Sequence, residues 1–396
     1  MSDLRFVRFD NVKTFLETTK QADDYLMKSS GAISIVDYRN GPTDPARVFY
    51  LAIYKGEALL ITFVYGVLEG FPWVLSVPRR ADDLLTPETL TLAATLLANS
   101  ILRLQIRDRV ITDPMKVFGV EEPVNAFLAA WVTAQRARGQ RLRLTPNPST
   151  ITVTYATRDT FSSLAPHTPP STQHRIYRAS VSDLESLIPF YTALFNTTPR
   201  PAPITPTDAV TKLQTALQAG LIWVCRTNHE LSAFAELGRV TPRTITIRTA
   251  YVAPEHRQRG VAESLVRAVS RYYLGLGTTD LTAVPQGPPP EGVKDRIKLA
   301  VANVSAEDAY RRLGFLLPDR SQDGSVLAGG VDPATGRQGW YSAILRGAEP
   351  EPEASALTRR GNDGLDIFNC EFPSGDSPYQ DSLVTERVPP AAPVLC

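Results

Sequence analysis

Hydrophobic and polar positions alternate along residues 244–252 and then change their period. Ile245 and Ile247 alternate with polar residues, and this period of two is typical of a β-strand. Over 261–273 apolar residues recur every three or four positions, which is the spacing of one helical face. The pattern predicts a strand, a short basic loop that contains Gly260, and a helix.

The same patterns predict the other elements of the chain, and their order repeats. In the second half they predict strands at 175–179, 221–226, 231–237, 299–303 and 342–345, a helix that begins at 182, and helices at 211–218 and 306–313. In the first half they predict strands at 47–54, 58–67, 71–77 and 115–118, and helices at 12–29, 86–103 and 121–131. Both halves contain a strand, a loop with proline, a helix, a strand and a helix in succession.

Composition and charge narrow the class of protein. A chain of 396 residues with 43% hydrophobic and 21% charged residues can form two or three globular domains. A net charge of +1 provides no general attraction to nucleic acid or to an anionic membrane. The 3 cysteines have no metal-like spacing and the 4 histidines do not cluster, so we expect neither a disulfide framework nor a metal site. The most apolar run, 58–68, is too short to span a bilayer. We therefore expect a soluble, cytoplasmic protein.

The loop before the helix at 261–273 has the chemistry of an anion site. The first backbone N–H groups of a helix have no partner within it, and the helix dipole places partial positive charge there. Gly260 and Ala262 leave the backbone accessible, while Arg257 and Arg259 add charge. These residues are typical either of a phosphate-binding turn or of an ordinary solvated one.

Two motifs in this region resemble one enzyme family. The sequence YVAPEHRQRGVA at 251–262 resembles the acyl-coenzyme A signature (Q/R)-x-x-G-x-(G/A) of the GCN5-related N-acetyltransferases, the GNAT family. Downstream, LAVAN at 299–303 and YRRLGF at 310–315 resemble the second motif of that family, in which an Asn ends a strand and a Tyr lies on the next helix. The resemblance covers 175–345 and implies an α/β fold with a mixed, mostly antiparallel sheet flanked by helices.

The repeat suggests that the chain contains two such halves. We expect a degenerate GNAT-like domain over 3–143, a crossover strand and linker over 144–174, a GNAT domain over 175–346 and a disordered tail over 347–396. The first half lacks the glycine loop, since its counterpart at 78–85 is longer and acidic. The alternative is that the first half is an unrelated α/β domain with a common alternation of strands and helices.

The resemblance implies a binding site for acetyl-coenzyme A as co-substrate, without a metal. The backbone of Tyr251 and Val252 would bind the pantetheine arm in the way that an added strand binds. Asn303 would bind the same arm where the two strands of the motifs separate. The residues whose backbone would hold the pyrophosphate are Arg257, Gln258, Arg259, Gly260, Val261 and Ala262.

The catalytic groups are less completely specified. Tyr310 is the candidate general acid that protonates the leaving thiolate, and the alternative is a packed aromatic side chain. Arg311 and Arg312 are placed either to contact the outer phosphates or to face water. No general base is evident. Glu236 is the nearest carboxylate, and we interpret it as a solvated strand residue; we expect His256 to lie at the surface.

The function that these motifs imply is acetyl transfer from acetyl-coenzyme A to an amine, by direct attack in a ternary complex. The acceptor would be a small molecule or a peptide, bound by variable loops such as 197–208. The sequence does not identify it. We expect a monomer or homodimer that binds neither nucleic acid nor membrane. The alternative is a catalytically inactive acyl-coenzyme A-binding module that acts as a sensor or interaction protein.

Overall fold

The computed structural model describes residues 3–22, 49–65, 72–78, 81, 83–104, 115–162, 174–196, 204–277, 284, 286–302 and 304–352. These residues form two compact units. The first unit contains the described residues up to Ile151 together with those from Tyr341 onward, and the second contains those of Thr152–Trp340. The predicted linker residues 163–173 and the tail residues 353–396 lie outside the described part of the chain.

The elements follow the alternation predicted from the sequence. Up to residue 144 they are β1 (Leu4–Phe9), α1 (Val12–Ala22), β2 (Phe49–Lys55), β3 (Ala58–Tyr65), β4 (Trp73–Ser76), α2 (Pro87–Arg103), β5 (Met115–Val120), α3 (Glu121–Arg136) and β6 (Leu142–Leu144). Then follow β7 (Ser149–Thr157), α4 (Arg158–Ser162), β8 (His174–Arg178), α5 (Leu184–Asn196), α6 (Pro206–Gln218), β9 (Ile222–Thr227), β10 (Glu230–Gly238), β11 (Thr244–Val252), α7 (Val261–Tyr273), β12 (Arg296–Val301), α8 (Val304–Arg312), β13 (Val331–Asp332), β14 (Arg337–Gln338) and β15 (Trp340–Pro350).

The sheet of the first unit has the strand order β1-β2-β3-β4-β5-β15. Strands β1 to β4 are antiparallel neighbours, whereas β4 and β5 are parallel and are connected through α2. Strand β15 pairs antiparallel with β5 and also with β6. The last strand predicted at 342–345 therefore exists, and it lies beside β5. Because β15 runs to Pro350, residues 347–350 are strand rather than the start of the expected tail.

The second unit repeats this order as β8-β9-β10-β11-β12-β7. Strands β8 to β11 are antiparallel neighbours, β11 and β12 are parallel and connected through α7, and β7 pairs antiparallel with β12. The mixed, mostly antiparallel sheet flanked by helices that the resemblance implies is confirmed. In the first unit the sixth strand, β15, comes from a part of the chain distant in sequence from the other five, whereas in the second unit the sixth strand, β7, is the strand that precedes β8 in the chain.

Helices cover both faces of the sheet in the second unit. Ile245 and Ile247 of β11 pack with Leu265 and Val269 of α7 on one face. On the opposite face α5 and α6 pack against β9 and β10, with Phe234 in that core. Each fully buried side chain of this kind contributes about 1.5–3 kcal/mol. This packing holds β11 between two apolar layers and so positions the turn that follows it.

The core of the first unit is aromatic. Phe63 lies with its ring centroid 4.9 Å from those of both Trp73 and Phe127, and Trp73 lies 5.8 Å from Trp131. These side chains fill the space between the sheet and helices α2 and α3. Among the described residues, no helix is long and apolar enough to cross a membrane.

Candidate functional site

Strands β11 and β12 are paired only over their first three residues. The pairs are Thr244 with Arg296, Ile245 with Ile297 and Thr246 with Lys298. Strand β11 continues to Val252, and there it is still paired with β10 on its other edge. Among the described residues, the edge of β11 beyond Thr246 is therefore not paired with β12.

A β-bulge lies in β11 just beyond this point. Thr249 is opposite Glu236 and Ile247 is opposite Leu237, so Arg248 is the extra residue. Its Nη1 lies 3.2 Å from Oε1 of Glu236, and Glu236 is only 8% exposed. The expectation that Glu236 is solvated is wrong: the bulge brings Arg248 to its carboxylate, and this partner makes its burial possible.

Helix α7 begins at an open glycine. Gly260 is its N-cap, with φ 73° and ψ 7°, a left-handed conformation that favours glycine, and no side chain caps the helix there. A Cβ atom at Gly260 would meet no atom within 4 Å. The helix therefore presents its first backbone N–H groups and the positive end of its dipole to open space.

Arg257 folds back onto the unpaired edge of β11. Its Nε donates to the carbonyl oxygen of Val252 at 3.2 Å. The N–H of Ala253 donates to the carbonyl of Ser232, in the direction of β10. The Val252 carbonyl and the Ala253 N–H belong to one trans peptide group and point in opposite directions, so the Val252 carbonyl faces the edge that β12 leaves. Arg257 thus occupies a backbone acceptor that an added strand would use.

The other residues of the turn differ in exposure. Gln258 has a φ of 59°, and it is exposed together with Arg259. Val261 is buried in the core under α7, and Ala262 is half-buried. The Tyr251 side chain is buried, with its ring 5.8 Å from Phe190, so its backbone is the part available for binding.

His256 is not at the surface, and that prediction is wrong. Residues Pro254–His256 form a compact 3₁₀ turn in which the imidazole is buried. Its Nδ1 has no hydrogen-bond partner among the described residues. A buried ring nitrogen without a partner is uncommon in native proteins, and functional sites are one place where it occurs. Nothing in the local sequence signals this burial.

Tyr310 lies on α8, within the core that α7 shares with the sheet. It is buried, and its ring is 5.9 Å from that of Phe315 in an edge-on arrangement. Asn303 lies outside the described residues. Nη2 of Arg311 donates to the carbonyl of Pro318 at 2.8 Å, and Nη2 of Arg312 lies 3.4 Å from Oε2 of Glu263.

The equivalent position in the first unit is closed. Helix α2 begins at Thr86, whose hydroxyl accepts the N–H of Thr89 at 3.2 Å, with Pro87 at the first helical position. Strands β4 and β5 are paired up to Leu75 and Gly119. A Cβ atom at Gly119 would lie 2.1 Å from the carbonyl oxygen of Leu75, so the two backbones are in close contact. This helix end carries a side-chain cap, and these strands stay together.

Solved structures that are similar to this chain cover most of its length at low sequence identity. Similar solved structures include a tandem GNAT protein from the clavulanic acid biosynthesis pathway, determined without AcCoA, which is 15% identical over 88% of this chain and 99% of that chain, with a TM-score of 0.47. A GCN5-related N-acetyltransferase from Sphaerobacter thermophilus is 12% identical over 87% and 95%, with a TM-score of 0.44. A GNAT-family acetyltransferase from Colwellia psychrerythraea is 12% identical over 86% and 99%, with a TM-score of 0.44. No curated protein matches.

A family model gives the assignment. Residues 186–288 match the model described as the acetyltransferase (GNAT) family. The matched segment runs from α5 through β11 and α7, so it includes the turn at 257–262 and the open helix end. The similarity to the GNAT family that the sequence motifs predicted is therefore found in this part of the second unit.

Proposed function

We propose that the second unit binds acetyl-coenzyme A and transfers its acetyl group to an amine in a ternary complex. One observation carries the proposal: helix α7 opens at the uncapped Gly260, directly after the strand whose edge is unpaired. An anion site and an unpaired strand edge are the two features that a diphosphate joined to an amide-containing arm requires.

The donor would lie along this edge. The pyrophosphate would accept hydrogen bonds from the backbone N–H groups between Arg257 and Ala262. The pantetheine arm would pair with the backbone of Tyr251 and Val252, and Arg257 would leave the Val252 carbonyl to contact phosphate instead. Asn303 would bind the arm farther along. The thioester would then lie between the separated ends of β11 and β12.

In the reaction the nitrogen lone pair of the acceptor attacks the thioester carbonyl carbon, and the C–S bond breaks. The amine loses a proton, and the thiolate gains one. Glu236 is the proposed base, because its buried carboxylate lies beside Arg248 and opposite Thr249, along the part of β11 whose other edge is not paired with β12. Tyr310 is the proposed acid for the thiolate.

The proposal assigns one site to each chain. The N-terminus of α2 carries its own side-chain cap, and β4 and β5 remain in contact, so the described residues of the first unit offer no equivalent anion site at this position. Calorimetric titration with coenzyme A should therefore give one site per chain. Binding to neither acetyl-coenzyme A nor coenzyme A would refute the proposal.

Thiol release from acetyl-coenzyme A in the presence of small-molecule and peptide amines separates the two candidate functions. Turnover with any of these amines supports the transferase. Tight coenzyme binding without turnover on any acceptor would instead favour the inactive binding module.

A further inference from the structure

The side chain of Arg257 lies against the edge of β11 along which the proposed donor would bind. Its Nε donates to the carbonyl oxygen of Val252 at 3.2 Å, and both residues are half-buried. In the described part of the chain β12 does not pair with this edge beyond Thr246, so an arm that binds like an added strand would donate to the same carbonyl. The guanidinium and the arm therefore compete for one acceptor from the same side.

The backbone of the turn is held independently of this side chain. The N–H groups of Ala253, His256 and Arg257 donate to backbone carbonyls at 3.0, 2.9 and 3.3 Å. The turn that leads to Gly260, the N-cap of α7, can therefore keep its shape when the side chain of Arg257 changes its acceptor. Because the N–H of Arg257 is used within the turn, the side chain is the part of this residue that can contact a ligand.

A phosphate at the N-terminus of α7 supplies a second acceptor for Arg257. Guanidinium and phosphate are both charged and can form two parallel hydrogen bonds, whereas a carbonyl oxygen is neutral. A donor whose arm carries a phosphate thus takes the Val252 carbonyl and offers Arg257 a stronger acceptor in exchange. An arm without a phosphate takes the same carbonyl and offers no acceptor in exchange.

We propose that Arg257 is a specificity-determining residue, which makes the site select thioester donors whose arm carries a phosphate and exclude thioesters of phosphate-free thiols. The inference rests on the proposed function, in which the pantetheine arm pairs with the backbone of β11. When a coenzyme A thioester binds, the hydrogen bond from Arg257 to Val252 is exchanged for one to the diphosphate. When a pantetheine thioester binds, that hydrogen bond is lost.

The test compares coenzyme A, phosphopantetheine and pantetheine, which share one arm but differ in the phosphate. Isothermal titration measures Kd of each ligand for the unaltered protein and for Arg257→Met, which keeps an apolar stem but has no donor. In Arg257→Met, coenzyme A and phosphopantetheine should bind about tenfold more weakly, and pantetheine should bind about tenfold more tightly. This factor is at the lower end of what a hydrogen bond to a charged group contributes.

Two substitutions in the same turn supply matched controls. The terminal nitrogen of glutamine lies as far along the side chain as Nε does in arginine, so Arg257→Gln keeps a donor for Val252 and removes the charge. It should weaken coenzyme A binding and leave pantetheine binding unchanged. Arg259→Met removes an exposed positive charge, so it should have the same two effects.

A purely structural role of Arg257 gives a different result. Loss of cooperative thermal unfolding in Arg257→Met, or weaker binding of both coenzyme A and pantetheine, would mean that Arg257 only supports the turn, and either result overturns the inference. Equal pantetheine affinity in Arg257→Met and Arg257→Gln overturns it as well. Failure of the unaltered protein to bind coenzyme A instead refutes the proposed function.

Discussion

Gly260→Glu tests the anion site directly, because it places a carboxylate where the pyrophosphate would bind. The glycine has a φ of 73° and open space around it, so the new side chain meets no steric clash. A residue other than glycine in this conformation costs about 1–2 kcal/mol. A negative charge at a helix N-terminus returns about 0.3–1 kcal/mol. The free energy of unfolding should therefore fall by no more than about 2 kcal/mol.

Coenzyme affinity should fall much further. Two unit charges about 4 Å apart repel by about 4 kcal/mol at an effective dielectric constant of about 20. Since about 1.4 kcal/mol corresponds to a factor of ten in Kd, Gly260→Glu should weaken coenzyme A binding about a thousandfold. Isothermal titration at low ionic strength measures this change. Thermal unfolding of the same samples measures the loss of stability.

Gly277→Glu is the matched control, because Gly277 lies shortly after the C-terminal end of α7. Gly277 has a φ of 66°, is exposed, and has no atom within 4 Å of a Cβ position. It therefore shares the conformational cost, but a negative charge near the helix C-terminus is unfavourable. We expect Gly277→Glu to be the less stable variant and to bind coenzyme A normally. The same Kd for both variants would refute the assignment of the pyrophosphate to the turn at 257–262.

Three further substitutions test the remaining assignments. Glu236→Gln keeps a hydrogen-bonding group beside Arg248 but removes the base, so kcat should fall by about 10²–10⁴ while Kd for coenzyme A stays the same; an unchanged kcat would exclude Glu236 as the base. Tyr310→Phe should lower kcat while Kd for coenzyme A stays the same, and full activity would remove Tyr310 from the mechanism. Gly119→Ala places a methyl group 2.1 Å from the Leu75 carbonyl oxygen, so denaturant unfolding should show a loss of about 1–3 kcal/mol, and unaltered stability would contradict the close contact of β4 and β5.

The features that the sequence predicted correctly are those that depend on residues close together in the sequence. Alternation along 244–252 and the helical spacing after Gly260 indicate a strand and a helix because each period is a property of one element. Glu236 was misjudged because its burial depends on Arg248, which a bulge brings across from the next strand. His256 was misjudged because a polar residue in a loop gives no sign of which side chains will cover it.

Strand order and the state of a single hydroxyl depend on contacts that sequence patterns do not contain. The sequence predicts a strand at 342–345, yet only the folded chain shows that this strand extends over Trp340–Pro350 and lies beside β5. From the sequence alone, Thr246 cannot be distinguished from any other threonine in a strand. In the described structure its buried Oγ1 has no hydrogen-bond partner. A sequence pattern cannot predict this, because it depends on which groups the folded chain brings near the hydroxyl.

The positions of β7 and β15 in the chain restrict how this protein can be cut into fragments. A fragment of residues 175–346, the natural choice from sequence motifs, would omit β7 and leave β12 without its antiparallel neighbour. A fragment that ends at residue 151 would likewise expose the edge of β5, and such bare edges promote aggregation. A fragment that begins before β7 and ends at Trp340 keeps all six strands of the second half, whereas the first half recovers β15 only from co-expressed, complementing fragments or from a circular permutant.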